Sequence, residues 1–158
     1  MAPAPESAPK PPEPPSLASA ALRIGYLHAN GTSYVGGSGR LTAQIPIQGA
    51  KALQLAPGGG AWIYSPVATA ASKPSLLGVE ALVGLNACCL LGRWGANLSV
   101  LVGFQLAPEP LFIVGGEINL GIRLSRSTTL GLTGGLGINP PREPLLRANG
   151  AIAAIFEM

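Results

Sequence analysis

The chain has 158 residues, 22 of them glycine, with 11% charged and a formal net charge of +3. A soluble globular domain carries roughly 25% charged residues, so a water-facing surface is hard to assemble from this composition. The small, scattered positive balance excludes a nucleic-acid footprint, and that much glycine disfavours long helices.

Seven of the first fifteen residues are proline. Residues 1–19 are read as a disordered, Pro-rich linker, extended and polyproline-like, that cannot build a core. Residues 1–16 contain no apolar h-region, so a secretory leader is expected upstream of Met1. Residues 20–158 are read as one folded domain, a length that suits a single unit.

Eight strands are predicted in that domain, at 21–30, 37–48, 52–65, 75–90, 93–106, 111–124, 128–139 and 145–157. In the second, Leu41, Ala43, Ile45 and Ile47 share one face and Arg40, Thr42, Gln44 and Pro46 the other. The third is interrupted by Pro57 and Gly58, Gly59 and Gly60, which mark a bulge or break a sheet. The fifth is the clearest. Trp94, Ala96, Leu98, Val100, Val102, Phe104 and Leu106 alternate with Gly95, Asn97, Ser99, Leu101, Gly103 and Gln105. Only a strand places such a set on one face, and Leu101 is the one intruder. The same beat runs through 77–89, 111–124, 129–139 and 146–158.

The polar phase is too polar for a protein core and the apolar phase too apolar for a surface in water. This inverted alternation predicts an all-β fold: an eight-stranded antiparallel up-and-down transmembrane β-barrel, lipid outside and a polar lumen inside. Loops at 31–36, 66–74, 107–110 and 140–144 are expected at one end, and tight turns at 49–51, 91–92 and 125–127 at the other, with both termini at the tight-turn end. The eight aromatic residues are expected in two girdles. Trp94 and Phe156 fall toward the terminal rim, and Tyr34, Trp62, Tyr64, Phe104 and Phe112 toward the opposite rim.

Two other architectures are weighed. A transmembrane helix over 76–92 has the length, but in the sixth strand Gly115, Glu117, Asn119, Gly121 and Arg123 would scatter around a helix. Each charge turned to hydrocarbon costs roughly 2.5–3.5 kcal/mol. A soluble lipocalin-like barrel binding an apolar ligand would turn the apolar set inward, but the chain lacks the Lys, Glu and Asp of such an exterior.

The predicted lumen holds Arg23, Arg40, Gln44, Glu80, Asn86, Asn97, Gln105, Glu117, Asn119, Arg123, Arg147 and Asn149. An eight-stranded barrel is just wide enough to be filled by its side chains, and buried charges there need partners. Glu80 is expected to pair with Arg40 or Arg147, and Glu117 with another lumen cation. Arg40, Glu80 and Arg147 are expected in the half away from the termini, Glu117 near the middle, Arg23 and Arg123 nearer the termini. Gly78, Gly84, Gly95, Gly103, Gly115, Gly121 and Gly131 leave room for long side chains opposite. A filled lumen predicts a structural or anchoring role. The excess of lumen cations keeps a narrow channel for small solutes or anions as an alternative.

No enzyme is expected. With one histidine, no aspartate and no nucleophile motif, nothing assembles a triad, and the glycines at 134–137 precede neither GK[ST] nor a strand–helix turn. His28 is placed in the lumen or at its rim. Cys88 and Cys89 are adjacent, so alternation sends them to opposite faces and they cannot chelate one metal. No metal and no cofactor is expected.

In strand count, alternation and loop asymmetry, residues 20–158 resemble the small outer-membrane β-barrel families, the OmpA- and OmpX-like group. The lipid-phase sets above and the closing strand at 146–158 carry the resemblance, and that strand is similar to the C-terminal signal read by the barrel-insertion machinery. It departs from the usual aromatic ending, because Glu157 and Met158 follow Phe156. The resemblance implies residence in the bacterial outer membrane, with the lipid bilayer and the barrel-insertion machinery as partners. The resemblance carries no family motif, hence no functional residue. Apart from it, the Pro-rich composition of residues 1–19 suits a spacer to a periplasmic partner or the peptidoglycan.

Overall fold

The computed structural model describes residues 18–50, 53–67, 72–91, 93–140 and 146–158; the side chains of 88–91 lie outside that set, and with them the expectation for Cys88 and Cys89. The strands are β1 (Ala18–Ala29), β2 (Thr32–Ala43), β3 (Ile45–Pro46), β4 (Leu53–Pro66), β5 (Leu76–Leu91), β6 (Trp94–Ala107), β7 (Leu111–Arg123), β8 (Thr128–Ile138) and β9 (Arg147–Glu157). They form one antiparallel sheet in the order β2-β1-β9-β8-β7-β6-β5-β4-β3, closed by pairing of β2 with β4. The two-residue β3 prolongs β2 along β4 without a change of register: Thr42 faces Gly58 and Ile45 faces Leu55. The barrel therefore has eight staves, as the alternation predicts.

The stagger follows from the registers. From Ser19, paired residues run through Thr42, Gly58, Leu82, Leu101, Gly115, Gly137 and Arg147 and return to β1 at Ala29, ten residues further on. A shear of that size over eight strands tilts them by about 40°, within the usual range for closed barrels.

Alternation sorts the two faces. Leu98 and Val100 are 63% and 62% exposed on the exterior, with Ile118 and Leu120 beside them, whereas Glu117 and Asn119 are buried inside at 3% and 5%. The soluble, apolar-lumen alternative requires the opposite phase and is overturned. No helix occurs among the described residues.

The loops depart from expectation at 31–36. β1 and β2 are joined by Asn30 and Gly31 alone, at φ 53° and 69°. Those values suit a type I′ hairpin turn, whose residues both need positive φ and favour Asn-Gly. Gly36, expected in the loop, stands inside β2, as does Gly37, expected at the strand's start. A Cβ at Gly36 would collide with the backbone of Ile63 and Tyr64, so glycine there serves strand-to-strand approach. The long connections lie between β4 and β5 and between β8 and β9, both at the end away from the termini. The asymmetry is thus carried by two connections of that end rather than four.

Candidate functional site: the filled lumen

Parity along each strand decides what enters the barrel, and three layers result. The middle layer is ionic. Arg40 projects from β2 and grips both acids. Its Nε donates to Glu80 Oε1, and Nη1 and Nη2 donate to Glu117 Oε1 and Oε2 at 2.8 and 2.9 Å. Arg23 from β1 donates from Nη1 to Glu117 Oε2 at 2.8 Å. Two guanidiniums and two carboxylates cancel in charge, and the fork-on-fork contact of Arg40 with Glu117 is the strong, directional form of the interaction. Facing glycines make the room: a Cβ at Gly60 would sit 2.7 Å from Arg40 Cγ, and one at Gly135 3.3 Å from Glu117 Cγ. Arg40 lies at this central level, lower than the sequence placed it, which lets it serve both acids.

The layer toward the loop end is apolar and was not foreseen. Leu27, Ala29, Tyr34, Trp62, Tyr64, Leu76 and Ile113 form one buried cluster. The Trp62 and Tyr64 rings lie 6.1 Å apart, inclined at 49°. The Trp62 indole covers Gly78, where any Cβ would strike the ring. This corrects the girdle expectation for Tyr34, Trp62 and Tyr64, which face inward. The exterior aromatics are Tyr26, Phe104 and Phe112 toward the loop end, with Phe104 opposite Phe112 in register, and Trp94 and Phe156 toward the terminal end. Parity gave the signal: Tyr34 is six residues from Arg40, and Trp62 and Tyr64 are even steps from Gly60. Beside this layer Arg147 Nη2 donates to Gln105 Oε1 at 2.7 Å, and Gln105 Nε2 donates to the Glu109 carbonyl at 3.0 Å.

The layer toward the termini is polar and hollow. A cavity of about 740 Å³ opens there. Gln44, Asn86, Asn97, Asn119 and Arg123 stand on its wall. Asn119 Nδ2 donates to Thr133 Oγ1 at 3.1 Å, Asn86 Nδ2 to Gln54 Oε1 at 3.4 Å, and Arg123 pairs with Glu157. The twelve sequence-selected residues thus all lie in the lumen phase, but in separate groups rather than one network. Asn149 borders the small space of about 70 Å³ above the ionic layer. The polar partners Gln54, Thr133 and Glu157 were not singled out, although they share parity with the chosen residues.

His28 is on the exterior, not in the lumen: on β1 it alternates with Leu27 and Ala29, which are buried inside. Its Nδ1 is 3.3 Å from Ser33 Oγ, which also bonds the Tyr26 hydroxyl. Among the described residues no cluster of His, Cys, Asp and Glu could hold a metal.

No known family profile matches the sequence, and no curated protein matches it. Solved structures do. A designed transmembrane β-barrel overlays with a TM-score of 0.51 at 16% identity, over 92% of this chain and 98% of that one. Neisserial surface protein A overlays with a TM-score of 0.48 at 12% identity, over 89% and 96%. The designed barrel bears on fold alone: this chain is a small, closed β-barrel of the transmembrane kind.

Proposed function

We propose that the chain is a non-enzymatic outer-membrane barrel with a structural or anchoring role, its terminal end in the periplasm. The reading rests on the filled lumen. An apolar layer seals one half and a charge-balanced ionic layer crosses the middle, which suits a scaffold better than an aqueous pore. The apolar exterior is matched to acyl chains. The bilayer and the barrel-insertion machinery are then its partners during biogenesis, and residues 1–19 reach toward a periplasmic protein or the peptidoglycan.

Purified, folded protein in a planar bilayer tests this reading; it predicts no discrete conductance steps. Heat-modifiable gel mobility and partition into detergent should accompany that result. Regular unitary steps, or a protein that stays in the aqueous phase, would overturn it.

One observation favours a second reading, a narrow anion pathway. The large and small lumen cavities share Arg23 and Arg40 on their walls, so a change of Arg40 rotamer would join them. Anion-selective steps in the same recording, enlarged in an Arg40→Ala variant, would establish it.

A further inference from the structure

The small cavity of about 70 Å³ lies between the ionic layer and the apolar layer, and both contribute to its wall. A void needs roughly 10–15 Å³ to admit one water, so this one has room for a monatomic ion and a water together.

Its wall carries a surplus of charge. Arg23, Arg40 and Arg147 border the cavity against Glu80 and Glu117. Both acids are already taken, Glu117 by Arg23 and Arg40, and Glu80 by Arg40. Arg147 reaches no carboxylate among the described residues, and its guanidinium donates to the neutral Gln105. Yet Arg147 is only 7% exposed. A buried charge without an opposite charge is among the costliest features a fold can hold.

A second observation points to what would balance it. Arg23 Nε, Arg147 Nε and Asn149 Oδ1 are buried and find no hydrogen-bond partner among the described residues, and all three side chains border this cavity. Such orphaned groups are costly. Two are donors on cations and the third is an acceptor. Water alone would serve the acceptor but would leave the charge surplus standing. An anion accepts from the donors and cancels the surplus, and a water beside it donates to Asn149.

We infer that the small cavity holds one monovalent anion of halide size, with Arg147 and Arg23 as its ligands. Leu27, Trp62 and Ile113 on the same wall lower the local dielectric, which strengthens the attraction. Three guanidiniums then face three negative charges, and the ionic layer is complete. The inference goes beyond the scaffold role and does not rest on it, because a counter-ion built into the fold serves the barrel in any compartment.

The test is equilibrium urea unfolding of the full, detergent-folded chain at constant ionic strength, with chloride replaced by gluconate, which is too large for about 70 Å³. Above saturation the unfolding equilibrium constant should fall about tenfold for each tenfold rise in chloride, the linkage of one bound anion. In Arg147→Gln that dependence should vanish. Trp62 supplies a second readout that does not require this variant to fold. It borders the cavity, and the other tryptophan, Trp94, is on the exterior, where Trp94→Phe silences it. In that background, folding in iodide, a heavy-atom quencher, should lower Trp62 emission saturably, and chloride should restore it. An unfolding equilibrium indifferent to chloride, a chloride response undiminished in Arg147→Gln, or a Trp62 response to iodide that is absent or merely linear would each overturn the inference.

Discussion

The two ends of the lumen solve one problem in opposite ways. Toward the loops, Tyr34, Trp62, Tyr64, Leu76 and Ile113 fill the bore with large apolar side chains over small floors such as Gly78. Toward the termini, polar side chains hug the wall and leave a space of about 740 Å³. Between them the Arg23–Glu117–Arg40–Glu80 cluster is the divider. The contrast teaches that a polar-lumen barrel need not be polar along its whole bore. Packing secures one half, charge pairing the middle, and the remaining half is released from load.

This division can be broken at graded cost. The largest effect is expected at the divider. Glu117→Ala leaves the buried Arg23 without its carboxylate and Arg40 with Glu80 alone, and removing one partner of such a cluster costs about 3–5 kcal/mol; urea unfolding in detergent or lipid should show it. Trp62→Ala empties the apolar layer and should cost about 3 kcal/mol by the same assay. On the outer wall, Leu98→Arg places a charge on the apolar face and should cost about 2 kcal/mol. Gly78→Val pushes the Trp62 ring from its seat, an overpacking of about 1–3 kcal/mol, read as a shift of the tryptophan emission. The smallest effect belongs to the terminal rim. Arg123→Ala removes a partly exposed pair with Glu157 and should change stability by less than about 1 kcal/mol. If that variant proved as damaging as Glu117→Ala, the terminal half would be carrying load after all.

Strand number, the inside–outside phase and the acid–base pairings were legible because period-2 alternation is a strong local signal and because charge in a narrow bore must find charge. Glu80 with Arg40, and Glu117 with Arg23 and Arg40, follow from that constraint. The apolar layer was missed for a different reason. Tyr34, Trp62 and Tyr64 lie near strand ends, and their chemistry suggested the headgroup level, whereas their parity placed them with Arg40 and Gly60. Parity is dictated by backbone geometry, while girdle membership is only a preference, so parity prevails. The first hairpin was misjudged for a related reason. The stretch from Gly31 to Gly36 has the glycines of a loop, but Asn30 and Gly31 alone supply the positive-φ conformations the turn requires. The depth of Arg40 could not be read from one strand, since the level of a residue depends on stagger accumulated around the whole circumference.

That circumference closes where Ser19 meets Glu157. The seam joins the beginning of the folded region to its end, so the longest interval of chain must be spanned before the last ladder forms. Contacts of such separation slow folding. Until β9 arrives, β1 and β8 each present a bare edge, the feature most prone to pairing with a stranger. A polypeptide built this way is at its most vulnerable before β9 is available, and safe only once that strand is free to act as the clasp.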